Sequence, residues 1–226
     1  MQKIVFITDP EVLAIPIEDC SEEMIDVKKR NVLAFGPPPE CEATQNDYTK
    51  MRKTVFEKLC AVQDSLPNGY RLRLYEGYRS LSVQKMLFDN EYVRVSVRYP
   101  NESRTFLFHE TTRLVSPVIN FDGSINTPAH NTGAAVDVEI IDKNGDLVDM
   151  GMACKDWIDV NPDLCLTHYQ GIGEHAKANR QLLLDVMQAQ GFVNYATEWW
   201  HFSYGDRYWA FHQRADKAIY GSADGL

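Results

Sequence analysis

Cysteine is scarce and forms no pattern: Cys20, Cys41, Cys60, Cys154 and Cys165 are five in number, with no C-x-x-C spacing. An odd, scattered set argues against a disulfide framework and fits reduced thiols in a cytoplasm. Long apolar runs are missing too. No stretch approaches the roughly 20 apolar residues of a membrane span, and the run Ile4-Val5-Phe6-Ile7 is too short for a signal-peptide core. There is no basic run, and the net charge of −9 argues against nucleic acid or an anionic membrane surface as partner. Repeats, low-complexity segments and interior linkers are also lacking. The 226 residues, 44% hydrophobic and 24% charged, therefore predict one soluble domain with a substantial core.

What the chain does contain is a set of metal-ligand side chains in two places. One is His130-Asn131-Thr132-Gly133-Ala134-Ala135-Val136-Asp137, and the other, about seventy residues later, is Glu198-Trp199-Trp200-His201. Together they offer two imidazoles and a carboxylate for a zinc ion, His130, Asp137 and His201, plus a second carboxylate, Glu198, beside one ligand. Three protein ligands with one open position distinguish a catalytic zinc from a structural one, and a non-ligand Glu is the general base such a site needs. Asn131, Thr132 and Gly133 favour a turn. The alternation of Ala135 to Ile140 then predicts a strand with Val136, Val138 and Ile140 toward the core and Ala135, Asp137 and Glu139 on the other face. Thr197 to Tyr204 also reads as a strand. On a regular strand Glu198 and His201 would point to opposite faces, so a bend or bulge at Glu198 is expected to bring both to the metal. The pairing points to a metallopeptidase.

The segment from Ala129 to Asp137 resembles the S-x-H-x-x-G-x-A-x-D signature of VanX-like D-alanyl-D-alanine dipeptidases. Glu198-Trp199-Trp200-His201 is similar to that family's E-W-W-H, and Gly77-Tyr78-Arg79 to its D-G-Y-R turn. The stretch from Asn179-Arg180 through Gly191-Phe192 resembles its helix leading into E-W-W-H. The motifs occur in the family's order over about a third of the chain. The resemblance implies one zinc held by His130, Asp137 and His201, Glu198 as catalytic acid/base, Arg79 as stabiliser of transition-state charge, and a small peptide, D-alanyl-D-alanine first, as substrate. Three positions depart from the pattern, all touching substrate recognition more than metal binding: Glu76 stands for Asp, Pro128 for Ser, and Lys155 for an acidic residue, with Asp156 following. Asp156, ahead of Asp159 and Asp149, is the candidate for a substrate ammonium, and Tyr78 is placed around the substrate with Trp199. Glu139 is a weaker candidate for steadying a ligand imidazole. The alternatives are a related zinc D,D- or L,D-carboxypeptidase or endopeptidase acting on peptidoglycan peptides, and a non-catalytic zinc scaffold. Retention of both Glu198 and Arg79 counts against the scaffold.

For the fold, apolar spacing predicts a helix within Asp47 to Ser65, ended by Pro67-Asn68-Gly69. A strand around Leu72 and Leu74 leads to the Glu76–Arg79 turn, and Ser80 caps a following helix. Another helix is expected within 101–115, a β-hairpin over Ala135 to Met150 turning at Asp142-Lys143-Asn144-Gly145, and a helix from Glu174 to Gln190 stopped by Gly191. The sum is an α+β domain, a small antiparallel sheet flanked by helices with the zinc site at the sheet. Residues 1–45, with the loop Gly36-Pro37-Pro38-Pro39, carry no readable motif.

Overall fold

A computed structural model describes residues 4–39 and 44–224; Cys41 lies outside them. Among the described residues are seven short strands: β1 Met24–Asp26, β2 Ala34–Phe35, β3 Lys50–Arg52, β4 Arg71–Glu76, β5 Ala135–Ile141, β6 Val193–Asn194 and β7 His201–Ser203. The main sheet has the order β2-β4-β5-β7-β6. Its pairings are antiparallel except β2 with β4, which is parallel. Strands β1 and β3 form a separate antiparallel pair. The helices are α1 Pro10–Leu13, α2 Lys53–Ser65, α3 Leu81–Arg98, α4 Arg104–Thr111, α5 Glu174–Ala189 and α6 Arg207–Gln213. The architecture is α+β, as the order of elements in the sequence suggests.

Alternation explains the two sides of the sheet. Leu72 and Leu74 of β4 face Ile140 and Val138 of β5, and Val136 faces Phe202 of β7. Side chains opposed in a ladder share a face, so these form one apolar surface. It joins Val55, Leu59 and Val62 of α2 and Leu183, Leu184 and Met187 of α5 in the main core. The other surface carries the intervening residues, Arg73 opposite Glu139 and Asp137 opposite His201. Polar alternation usually marks a solvent face, yet Ala135 to Ile140 are all buried. Here the polar face is covered and holds the ionisable groups.

A bulge sets the position of one of them. Leu74 pairs with Val138, but Glu76 pairs with Asp137, so Tyr75 is the extra residue. Without it Glu76 would fall on the apolar face. The bulge turns Glu76 onto the face of Asp137, a common use of bulges beside functional sites.

Other elements differ from their sequence readings in instructive ways. Helix α2 starts at Lys53 because Lys50–Arg52 pair with β1, which takes Met51 out of the helical pattern. The run after Asp142–Gly145 returns beside β5 through a single bridge, Ile141 to Leu147, and forms no second strand. Ser80 does cap α3, accepting from the Val83 amide at 3.4 Å. The amino-terminal segment is fastened by tertiary partners. Ile17 bridges Ala218, and the fully buried side chain of Arg52 donates to Thr132 O at 2.8 Å, to Asp19 Oδ2 at 2.9 Å, and to the carbonyls of Glu22 and Gly221. No helix among the described residues is long and apolar enough to cross a membrane.

Candidate active site

His130 lies on the one-turn 3-10 segment Ala129–Thr132, which ends at Gly133 in the left-handed region, φ 69°. A side chain at 133 would be strained there and would also meet the Met24 sulfur at 2.3 Å. His130 Nδ1 is 2.7 Å from Gly77 O. A carbonyl only accepts, so Nδ1 carries the proton and Nε2 presents its lone pair in the neutral ring. That lone pair looks toward the two residues opposed across β5 and β7.

His130 Nε2 is 3.4 Å from Asp137 Oδ2 and 3.1 Å from His201 Nδ1, and His201 Nδ1 is 3.0 Å from Asp137 Oδ1. Ligands on a tetrahedron with bonds of about 2.0–2.2 Å stand roughly 3.3–3.6 Å apart. The observed triangle is close to that size, and all three side chains are buried. Among the described residues this is the group of His, Cys, Asp and Glu atoms suited to a cation. Burial alone would raise the Asp137 carboxyl. The charge that His130 and His201 carry when protonated, with their hydrogen bonds, outweighs it and holds that carboxyl well below the usual range.

Glu198 sits just outside the triangle, its Oε2 3.9 Å from His201 Nδ1. The sequence suggested a strand bent at this residue. Instead Glu198 belongs to a turn, its amide donating to Tyr195 O at 2.8 Å and its carbonyl accepting from the His201 amide at 3.2 Å; β7 begins only at His201. The turn puts two residues three apart on one edge. Asn194 locks it: Nδ2 donates to Glu198 O at 3.0 Å and His201 O at 2.9 Å, while Oδ1 accepts from Thr167 Oγ1 at 2.6 Å. Burial, then the charge of Asp137, pushes the Glu198 carboxyl well above its ordinary range.

Arg79 completes the polar set. Glu76, with no exposed surface, accepts from Arg79 Nε at 3.0 Å and from Nη2 through its other oxygen. Gln84 Oε1 accepts from Nη1 at 3.0 Å, and the Arg79 amide donates to His130 O at 3.2 Å. The guanidinium is therefore aimed by neighbours rather than left to solvent. Two small cavities meet at Arg79, Leu114 and Glu198. One is walled by Tyr75, Leu87, Val115, Cys154, Trp157 and Trp200, the other by Gln84, Ser116, Pro128, Ala129 and Tyr195 next to His130 and His201.

Two expected substrate contacts lie elsewhere. The Tyr78 hydroxyl donates to Asp224, whose carboxylate also accepts from Asn131 Nδ2 at 3.0 Å, so this ring serves a carboxy-terminal strap. Asp156 is 42% exposed and pairs with Lys155 at 2.6 Å. Neither lines either of these two cavities. Asp149 caps the Gly151 amide at 2.8 Å. Glu139 binds Arg73 and the Cys154 amide, not an imidazole; Gly77 O is what steadies His130. Sequence reasoning missed the roles of Gln84 and Asn194, which carry no motif. Trp199 and Trp200 are packed edge to face at 5.5 Å, and Arg180 lies over Trp199 at 5.4 Å.

The sheet thus gathers a buried His/Asp/His cluster, a flanking Glu and a clamped Arg in one place. Residues 42–218 match the family model Peptidase M15, described as D-ala-D-ala dipeptidase, and the chain belongs to that peptidase family. It is 25% identical over 223 residues to the D-alanyl-D-alanine dipeptidase of Synechocystis sp. (strain ATCC 27184 / PCC 6803 / Kazusa), covering 88% of each chain. It is 28% identical over 156 residues to that of Enterococcus faecalis (strain ATCC 700802 / V583), covering 63% of this chain and 69% of the relative. Among solved structures it is similar to the LdcB LD-carboxypeptidase, with TM-score 0.45, 19% identity, and coverage of 89% and 76%. It is also similar to the vancomycin-resistance D,D-pentapeptidase VanY in complex with Zn(II), with TM-score 0.42, 14% identity, and coverage of 75% and 80%.

Proposed function

We propose that this chain is a zinc-dependent dipeptidase acting on D-alanyl-D-alanine or a closely similar short peptide, a single peptidase domain over 1–226. The observation that carries the reading is the triangle of three donor atoms at 3.0–3.4 Å with a buried Glu carboxylate 3.9 Å from one of them. His130 Nε2, His201 Nδ1 and Asp137 would hold the ion. Zinc bound there supplies Lewis acidity and lowers the pKa of water toward about 7. Glu198 takes the proton of the attacking water and returns it to the leaving amine. Arg79, fixed by Glu76 and Gln84, faces the charge that develops on the peptide oxygen. The relatives named D-alanyl-D-alanine dipeptidase support the substrate. The scattered cysteines, with no C-x-x-C spacing, support a cytoplasmic setting.

The related carboxypeptidase or endopeptidase reading draws on one observation. Asp156, expected at a substrate ammonium, and Tyr78, expected around the substrate, line neither cavity. Two measurements test the proposal. Purified protein should contain one zinc per chain and His201→Ala should lose it; an unchanged content rejects the ligand set. D,D-, L,D- and L,L-dipeptides, with blocked and longer analogues, should show hydrolysis only of unblocked dipeptides and fastest for the D,D form. Turnover of blocked or longer peptides instead selects the carboxypeptidase or endopeptidase.

A further inference from the structure

Each imidazole of the triangle has a second ring nitrogen facing away from it. For His130 that nitrogen is satisfied by Gly77 O at 2.7 Å. For His201 it is Nε2, buried and without a hydrogen-bond partner among the described residues. A metal-ligating His almost always gives this N–H to a carboxylate, a carbonyl or a water, and the partner sets which nitrogen keeps its lone pair.

Two other buried polar atoms are in the same condition, Ser203 Oγ and Asp206 Oδ2. All three arise from one short stretch. Ser203 follows His201 by two residues on β7 and so shares its face. Gly205, at φ 89°, turns the chain, and Asp206 follows. The other oxygen of Asp206, Oδ1, accepts from the Trp209 amide at 2.7 Å as the cap of α6, which fixes the carboxylate and leaves Oδ2 inside the protein. Burial raises the Asp206 carboxyl, while the Trp209 amide, the charge of His201, the Ser203 hydroxyl and the charge of His130 oppose that rise. Geometry brings the two close: Ile7, Ser116 and Ala129 line both the small cavity bordered by His201 and the one bordered by Asp206. One donor, one acceptor and one hydroxyl that is both form a set that satisfies itself, with a buried water as bridge where the direct reach is too long.

We propose that Asp206 is the positioning residue of His201: its Oδ2, directly or through a water shared with Ser203 Oγ, accepts the His201 Nε2–H and so leaves Nδ1 unprotonated toward His130 and Asp137. The inference rests on the zinc reading above and adds the group that orients one ligand. Losing such a partner typically weakens metal affinity roughly 10- to 100-fold.

Asp206→Ser keeps a capping oxygen but loses the reach to His201, and Asp206→Asn keeps the cap and the volume but loses the charge. Zinc affinity by competition with a chelator should fall roughly 10- to 100-fold in D206S and less in D206N, while the zinc-free proteins melt close to wild type. In zinc-loaded wild-type protein the His201 Nε2–H proton should exchange slowly with solvent and shift in D206N. Unaltered zinc affinity in D206S, or rapid exchange of that proton in wild type, overturns the assignment. Should D206S not fold, D206N carries the affinity comparison. Wild-type protein that binds no zinc at all would instead sink the zinc reading.

Discussion

Replacing Glu76 by Ala strands Arg79. Glu76 has no exposed surface and the Arg79 side chain is only 10% exposed, so the guanidinium cannot recover its lost partner from water. Removing one partner of a buried ion pair costs about 3–5 kcal/mol. Gln84 Oε1 stays at 3.0 Å from Nη1 and softens the loss, so about 3 kcal/mol is the expected cost. At roughly 2–4 °C per kcal/mol for a chain of this size, the melting temperature should drop by about 6–12 °C. Catalysis should suffer as well, because the carboxylate aims the Arg. Loss of one oriented oxyanion donor costs about 2.7–4 kcal/mol, or roughly a hundred- to a thousandfold in kcat. Thermal melts at saturating zinc, with release of free D-alanine from D-alanyl-D-alanine, measure both. The decisive comparison is the double variant E76A/R79A, which buries no stranded cation. It should be more stable than E76A alone, with a coupling of about 0.5–3 kcal/mol. Additive losses, or an E76A protein that melts and turns over like wild type, would refute the reasoning.

Glu198 makes a pH prediction. In the metal-free protein its carboxyl is raised above the ordinary 4.5, by burial first and then by Asp137. The folded state therefore keeps that proton to higher pH than the unfolded chain, and stability falls as pH climbs from about 4.5 toward the folded value. Asp137, held low, titrates below that window. Metal-free Glu198→Gln should therefore gain on wild type as pH rises above about 4.5, followed by denaturant melts; parallel curves would reject the buried-acid account. Gly77→Ala is expected to weaken zinc binding, because a Cβ there would meet Lys50 O at 2.5 Å and push away the carbonyl that steadies His130. Chelator competition giving wild-type affinity in G77A would show that the carbonyl has no such part.

The sequence was most readable where one residue type does one job over a regular period. The alternation of Leu72 with Leu74 and of Val136, Val138 and Ile140, and the helical spacing before Gly191, become β4, β5 and α5 with little displacement. The family resemblance, carried by side-chain identities at fixed intervals, agrees with the family match. Legibility fails where position is decided by a distant partner. A bend was expected at Glu198, yet the turn there depends on Asn194 and Thr167, and the bulge falls at Tyr75, where no local residue announces it. Strands β1 and β2 and helix α1 are two to four residues long, too short to show a period, and exist through β3, β4 and α6. Asp156 and Tyr78 have their nearest polar partners in Lys155 and Asp224, and no spacing in the sequence announces either pairing.

Strand β7 has three residues, too few to specify its own alignment, yet its first residue stands directly across from Asp137. Sliding it by one position would send His201 through to the greasy side of the sheet and leave Phe202 facing the carboxylate. On the zinc reading proposed above, a cation that demands both groups together works as a gauge of correct threading. Only chains zipped in the proper frame retain it, so metal retained after refolding would sort faithful molecules from misaligned ones.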